Sequence, residues 1–141
     1  MYVSIKSICN SPEFKNLEIV AGKNGTHRNI KGISVSDMKL SHSDKSFFEE
    51  GYLFISALSF FNDCNEKEIE EYFDCLIDRK TAGLIYSNDE DYQHYISEDI
   101  IKKCDNANYP ILILQNDTSY ASIIATVNRY IAFENLTAAY K

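Results

Sequence analysis

The sequence predicts an α/β domain on a mostly parallel sheet of about five strands, with an N-terminal hairpin, helices packed on the sheet and a long C-terminal helix. Three features carry that prediction. Tyr52-Leu53-Phe54-Ile55, Ala82-Gly83-Leu84-Ile85-Tyr86 and Pro110-Ile111-Leu112-Ile113-Leu114 are continuous apolar runs of strand length, the pattern of strands covered on both faces. The segments between them carry apolar residues at helical spacing, and strand–helix–strand alternation marks crossovers in a parallel sheet. Before the first run, two weaker strand-like stretches flank a glycine-rich turn.

In chain order, Ser4 can cap a short helix bearing Ile5 and Ile8, and Pro12 sits at a first-turn position ahead of Glu13 and Phe14. Glu18-Ile19-Val20-Ala21 reads as a strand, Gly22-Lys23-Asn24-Gly25 as a turn able to take positive φ, and residues 29–35 as a second strand, together a β-hairpin. After the 52–55 run, Asn65 can cap a helix with Glu68 reaching back in a capping box. Ile69, Tyr72, Phe73, Leu76 and Ile77 form its apolar face, and Glu66, Glu70, Glu71, Asp74 and Asp78 its wet side. Ser97 caps a helix carrying Ile100, Ile101, Cys104 and Ala107, and Thr118 or Ser119 starts the last helix.

At 141 residues the chain fits one domain, 1–141, and such a chain buries roughly 68–70% of its unfolded surface. Hydrophobic residues at 45% and charged ones at 25% exclude the composition of a disordered chain. The net charge of −7 repels phosphate backbones, so the domain is expected to bind neither nucleic acid directly nor an anionic membrane. Cys9, Cys64, Cys75 and Cys104 follow no metal or redox spacing, and no signal peptide or membrane-length apolar run occurs, which predicts reduced thiols in a cytoplasmic protein.

Several constellations contain reactive residue types without the required arrangement. Ser41-His42-Ser43-Asp44 has the components of a hydrolase triad, but triad members meet from separate segments, so a hydrogen-bonded loop is expected. Asp89-Glu90-Asp91 with His94 lacks the order of a calcium loop and reads as a solvated acidic loop. Cys64 precedes a helix N-terminus, where thiolate pKa values fall, yet no base accompanies it. Arg28, beside His27, can pair with a carboxylate or with an anion. Neither GxGxxG nor GxxxxGK[ST] is present. No catalytic residue, cofactor or metal is therefore expected. In open parallel sheets ligands bind at the carboxyl ends of the strands. There the sequence places Ser36, Asp37, Ser56, Ser59, Ser87, Asn88, Gln115, Asn116 and Thr118, short polar groups suited to a small metabolite or to capping the strand ends.

The order and spacing of several segments resemble the PucR N-terminal domain of bacterial transcription regulators, the purine catabolism regulator type. They are Val20-Ala21-Gly22 with Gly25 and Arg28, Ile33-Ser34-Val35, Glu50-Gly51-Tyr52-Leu53-Phe54-Ile55, Ala82-Gly83-Leu84-Ile85, Tyr109-Pro110-Ile111-Leu112-Ile113-Leu114 and Tyr120-Ala121-Ser122-Ile123-Ile124. The resemblance spans nearly the whole chain. It implies a non-catalytic, ligand-sensing regulatory domain, followed in the family by regions ending in a DNA-binding helix-turn-helix. Protein interaction or dimerisation without a small-molecule ligand is the alternative. Two departures fall at strand ends: Ser56-Ala57-Leu58 stands where the family often has Thr-Thr-Gly, and Gln115 where it often has Pro.

Along the final helix, Tyr120, Ile123, Ile124, Val127 and Ile131 make one apolar stripe and Tyr130, Phe133, Leu136 and Tyr140 a second, rotated from it. The first is expected to pack on the sheet. The second is expected to meet another copy in a homodimer or a downstream segment, with residues 132–141 acting as a helical linker.

Overall fold

The computed structural model describes residues 3–14, 17–40, 45–87, 96–114 and 119–139, with side chains to residue 136. Five strands, β1 (Leu17–Ala21), β2 (Gly32–Val35), β3 (Tyr52–Ser56), β4 (Gly83–Ser87) and β5 (Ile111–Leu114), form one sheet in the order β1-β5-β4-β3-β2. β2, β3, β4 and β5 are parallel, and β1 lies antiparallel on β5. Helices α1 (Ile5–Cys9), α2 (Glu66–Asp78), α3 (Glu98–Asn106) and α4 (Tyr120–Ala139) complete the fold. The α/β class, the mostly parallel five-stranded sheet and the long C-terminal helix agree with the sequence.

The expected hairpin does not form. Both of its strands exist, but they occupy opposite edges of the sheet. The intervening turn is held elsewhere: Gly22, at φ 70°, donates its N–H to the Asp105 carboxylate at 2.8 Å. A Cβ on Gly22 would lie 2.0 Å from the Tyr109 carbonyl oxygen, and one on Gly25 1.7 Å from that of Asn108. The two glycines thus let the chain press against the α3–β5 connection. Residues 22–31 then run as a strap along the amino ends of the parallel strands. Ile30 donates to the Val3 carbonyl at 2.8 Å and Lys31 to that of Gly51 at 2.9 Å.

Strand alternation sorts the apolar runs onto two faces. Phe54, Leu84, Tyr86, Ile111 and Ile113 face one cluster with Ile69, Tyr72, Phe73, Leu76, Ile100 and Cys104 of α2 and α3. Leu53, Ile55, Ile85, Leu112 and Leu114 face the other, with Ile5 and Ile8 of α1 and Ile123 and Val127 of α4. Helix starts follow the sequence closely. Ser4 and Asn65 make capping boxes with Ser7 and Glu68, Ser97 accepts from the Ile100 N–H, and Ser119 accepts from that of Ser122. α2 and α3 end in left-handed residues, Lys80 (φ 56°) and Asn108 (φ 53°). The Thr81 N–H then returns to the Leu76 carbonyl and that of Tyr109 to Cys104, satisfying the last turns.

Below the α2 face, the Thr81 hydroxyl donates to the Leu76 carbonyl at 3.0 Å, so it accepts from the Tyr109 hydroxyl at 2.7 Å. Both residues are buried. Tyr109→Phe should therefore cost about 1 kcal/mol, whereas Thr81→Val, which leaves the phenol buried without an acceptor, should cost about 2 kcal/mol or more. The double variant should be no less stable than Thr81→Val in urea denaturation. Equal losses for the two single variants would contradict this polarity.

Burial pushes the Cys104 thiol up to about 12, with Asp105 adding to it, and burial also holds the Tyr72 and Tyr109 phenols above their usual range. A raised pKa means the folded state keeps its proton. The contribution is complete below the unfolded thiol value of about 8.5 and is lost as pH rises towards the folded one. Stability should fall from about pH 9 upward, and Cys104→Ala should make that fall shallower. An unchanged slope in pH-dependent urea midpoints would count against it.

Candidate functional site

The carboxyl ends of β2, β3 and β4 each terminate at a serine. Ser36, just past β2, donates its N–H to the Ile55 carbonyl at 3.0 Å, and its buried hydroxyl pairs with the Tyr72 hydroxyl of α2 at 2.8 Å. The next residue, Asp37, is exposed. Its carboxylate accepts from the Ser56 hydroxyl at 3.2 Å and from the Ala57 N–H at 3.4 Å. Ser56, fully buried at the end of β3, in turn accepts from the Leu58 N–H at 3.0 Å. Ser87, at the end of β4, accepts from the Tyr120 hydroxyl in the first turn of α4 at 3.3 Å.

Leu58 has φ 60° although its side chain is fully buried. A left-handed conformation costs a residue with a Cβ about 1–2 kcal/mol, so the backbone here is strained. The buried side chain, packed with Phe60, Phe61 and Tyr72, holds it. This is the position at which the sequence departs from the glycine common in the family it resembles.

Of the residues placed at this edge from sequence, Asp37 and Ser56 bond to each other, the adjacent Ser36 bonds to Tyr72, and Ser87 joins α4. Ser59 is exposed at the start of a 3-10 turn (Ser59–Asp63). Asn88, Gln115, Asn116 and Thr118 lie outside the described residues, as do 41–44 and the acidic segment 89–94. The sequence reading missed Tyr72 and Tyr120, which it placed in apolar stripes. The signal was the residue type, because a tyrosine in a core stripe must find a partner for its hydroxyl.

A concavity of about 230 Å³ adjoins these contacts, lined by Lys39, Leu40, Lys45, Phe60, Glu68 and Tyr72 among others. Lys39 and Glu68 pair across it at 3.3 Å. Cys64, also on its wall, does not have the lowered pKa of a helix-start thiol. Burial and then Glu68 push it up, and its Sγ donates to the Phe60 carbonyl at 3.4 Å. Arg28 makes no ion pair among the described residues, His27 is exposed, and no group of three metal-ligating side chains occurs among them.

On α4, Ile123 and Val127 are buried and Tyr120, Ile124 and Ile131 half-buried against the sheet, as the first stripe requires. Tyr130 departs from the second stripe: it packs against the same cluster and its hydroxyl donates to Glu13 at 3.0 Å. Phe133 and Leu136 are 67% and 57% exposed, and Tyr140 lies outside the described residues. No helix among the described residues is long and apolar enough to cross a membrane.

The fold is similar to that of a solved structure of the CBS and DRTGG domains in the regulatory region of Clostridium perfringens pyrophosphatase, complexed with its activator diadenosine tetraphosphate. That similarity has a TM-score of 0.51 at 20% identity. It covers 91% of this chain and 45% of the other, so this chain spans less than half the length of that region. No curated protein matches the sequence. The profile of the purine catabolism regulatory protein-like family, PucR, matches residues 7–131. With most of its length matched, from α1 into α4, the chain belongs to the PucR regulatory family.

Proposed function

We propose that this chain is a non-catalytic, cytoplasmic sensing domain that binds a small metabolite at the carboxyl edge of the sheet. The bound state is passed through α4 to a downstream DNA-binding region of the same regulator. The observation that carries this reading is the pair of tyrosine contacts that tie strand ends to helices, Ser36 to Tyr72 of α2 and Ser87 to Tyr120 of α4. A ligand competing for these hydroxyls shifts the helix that holds the other end of each bond. Asp37 is exposed and spends one carboxylate oxygen on Ser56 and Ala57, so the edge suits a metabolite rich in N–H or O–H donors. The similarly folded regulatory region of the clostridial pyrophosphatase is complexed with a small-molecule activator, which supports regulation by a small molecule on this architecture.

Thermal denaturation against purines, ureides, sugar acids and amino acids tests the reading. A ligand at a hundred times its dissociation constant adds about 2.7 kcal/mol, a shift of several degrees for a chain of this size. Asp37→Asn should abolish the shift while moving the Tm of the free chain little. A panel with no responder, or a shift that survives Asp37→Asn, would contradict it.

Exposed Phe133 and Leu136 favour a second contribution, self-association of α4 in a homodimer. Replacing both by Ser should lower association in sedimentation while leaving thermal stability nearly unchanged, because Ile123 and Val127 keep the core contact. A monomer at high concentration, or an unfolded double variant, would rule this out.

A further inference from the structure

The opposite edge of the sheet carries a concavity lined by three cations that form no ion pair among the described residues. It encloses about 540 Å³ and lies where the strap passes the amino ends of β3 and β4 and the C-terminal turns of α2 and α3. That volume falls within the ~300–1,000 Å³ range of small-molecule sites. Arg28 and Lys31 enter from the strap and Lys80 from the end of α2, and among the described residues Glu50 is the one carboxylate on the wall. Half-buried Ile77 and Ala107 give it an apolar side above the buried Tyr109 and Ala82.

Two features set this gathering of positive charge apart, and a third bears on whether an anion can approach it. The chain as a whole carries −7, so a cationic surface runs against its average field. None of the three cations forms an ion pair among the described residues. Helix C-termini ordinarily oppose an anion, but here the returning N–H groups of Lys80, Thr81, Asn108 and Tyr109 occupy the terminal carbonyls of α2 and α3. The strap also fixes the geometry. Lys31 lies across Gly51, where a Cβ would meet its side chain at 2.9 Å, and Gly51, at φ 81°, leaves that space open.

We propose that this amino-edge concavity is a binding site for a small, multiply charged anion bearing phosphate or carboxylate groups. Arg28, Lys31 and Lys80 supply charge-assisted hydrogen bonds, and Ile77 and Ala107 offer a small apolar surface beside them. The site is separate from the carboxyl edge, with its own partners and its own variants.

The test is isothermal titration of the full chain with inorganic pyrophosphate and, in a second arm, with citrate, which distinguishes phosphate from carboxylate as the preferred group. Lys31→Gln and Lys80→Gln should each weaken binding about two- to fivefold, the scale of exposed ion pairs. Glu50→Gln should tighten it by a similar factor. Lys67→Gln and Lys102→Gln, on α2 and α3 outside this concavity, should change nothing. Both tested lysines are exposed, so the fold is expected to tolerate their replacement, and a melting curve on each variant checks it. Asp37→Asn should leave anion binding intact, which separates this proposal from the carboxyl-edge reading. Failure of both anions to bind at millimolar concentration overturns the inference. So does equal weakening by the control lysines, or an Glu50→Gln variant that binds no better.

Discussion

The close passage of the strap against the backbone before β5 is the constraint on which the rest of the structure depends. Gly22 and Gly25 press on the carbonyls of Tyr109 and Asn108 at distances that no side chain at either glycine would permit. The Asp105 carboxylate fixes the Gly22 N–H from α3. Because the turn is anchored there, it does not reverse the chain onto itself. β1 is left beside β5 and β2 is delivered to the far edge. The parallel order β2, β3, β4, β5 follows, and so does the cover that α4 gives β2.

This arrangement gives the sheet two chemically different ends. At the carboxyl end, Ser36 and Ser87 meet phenols from α2 and α4, and Asp37 meets Ser56 beside the strained Leu58 backbone. At the amino end, the strap and helix termini bring cations beside a small apolar surface. The first end touches α4 through the polar contact between Tyr120 and Ser87, and the proposed reading takes that end as the input for a change passed along the C-terminal helix. Membership of a regulatory family fits a domain whose longest helix begins at such a contact.

Much of this was legible in the residues. The three apolar runs became central strands because alternation along them fills both faces, and Ser4, Asn65 and Ser97 capped helices by local chemistry that tertiary context did not override. The hairpin was misread for a physical reason. A glycine-rich segment between two strands has the same local signature whether it turns back or crosses a sheet edge, and only the contact with Tyr109 and Asn108, more than eighty residues away, decides. Ser36, Asp37, Ser56 and Ser87 lie at or just past strand ends, where the strand-end rule puts them, whereas Tyr72 and Tyr120 were hidden in stripes whose spacing belongs to the core. Tyr130 likewise changed sides because Glu13 offers its hydroxyl a partner.

The central claim is that the carboxyl edge and α4 act as one unit. Amide hydrogen exchange, measured with and without a metabolite that binds the chain, tests it most directly. The account predicts slowed exchange at 36–37, 56–58 and 87 together with the first turns of α4, from Tyr120 to Val127. Protection that stays at the strand ends and leaves α4 unchanged, or that appears only at the amino edge, would contradict it.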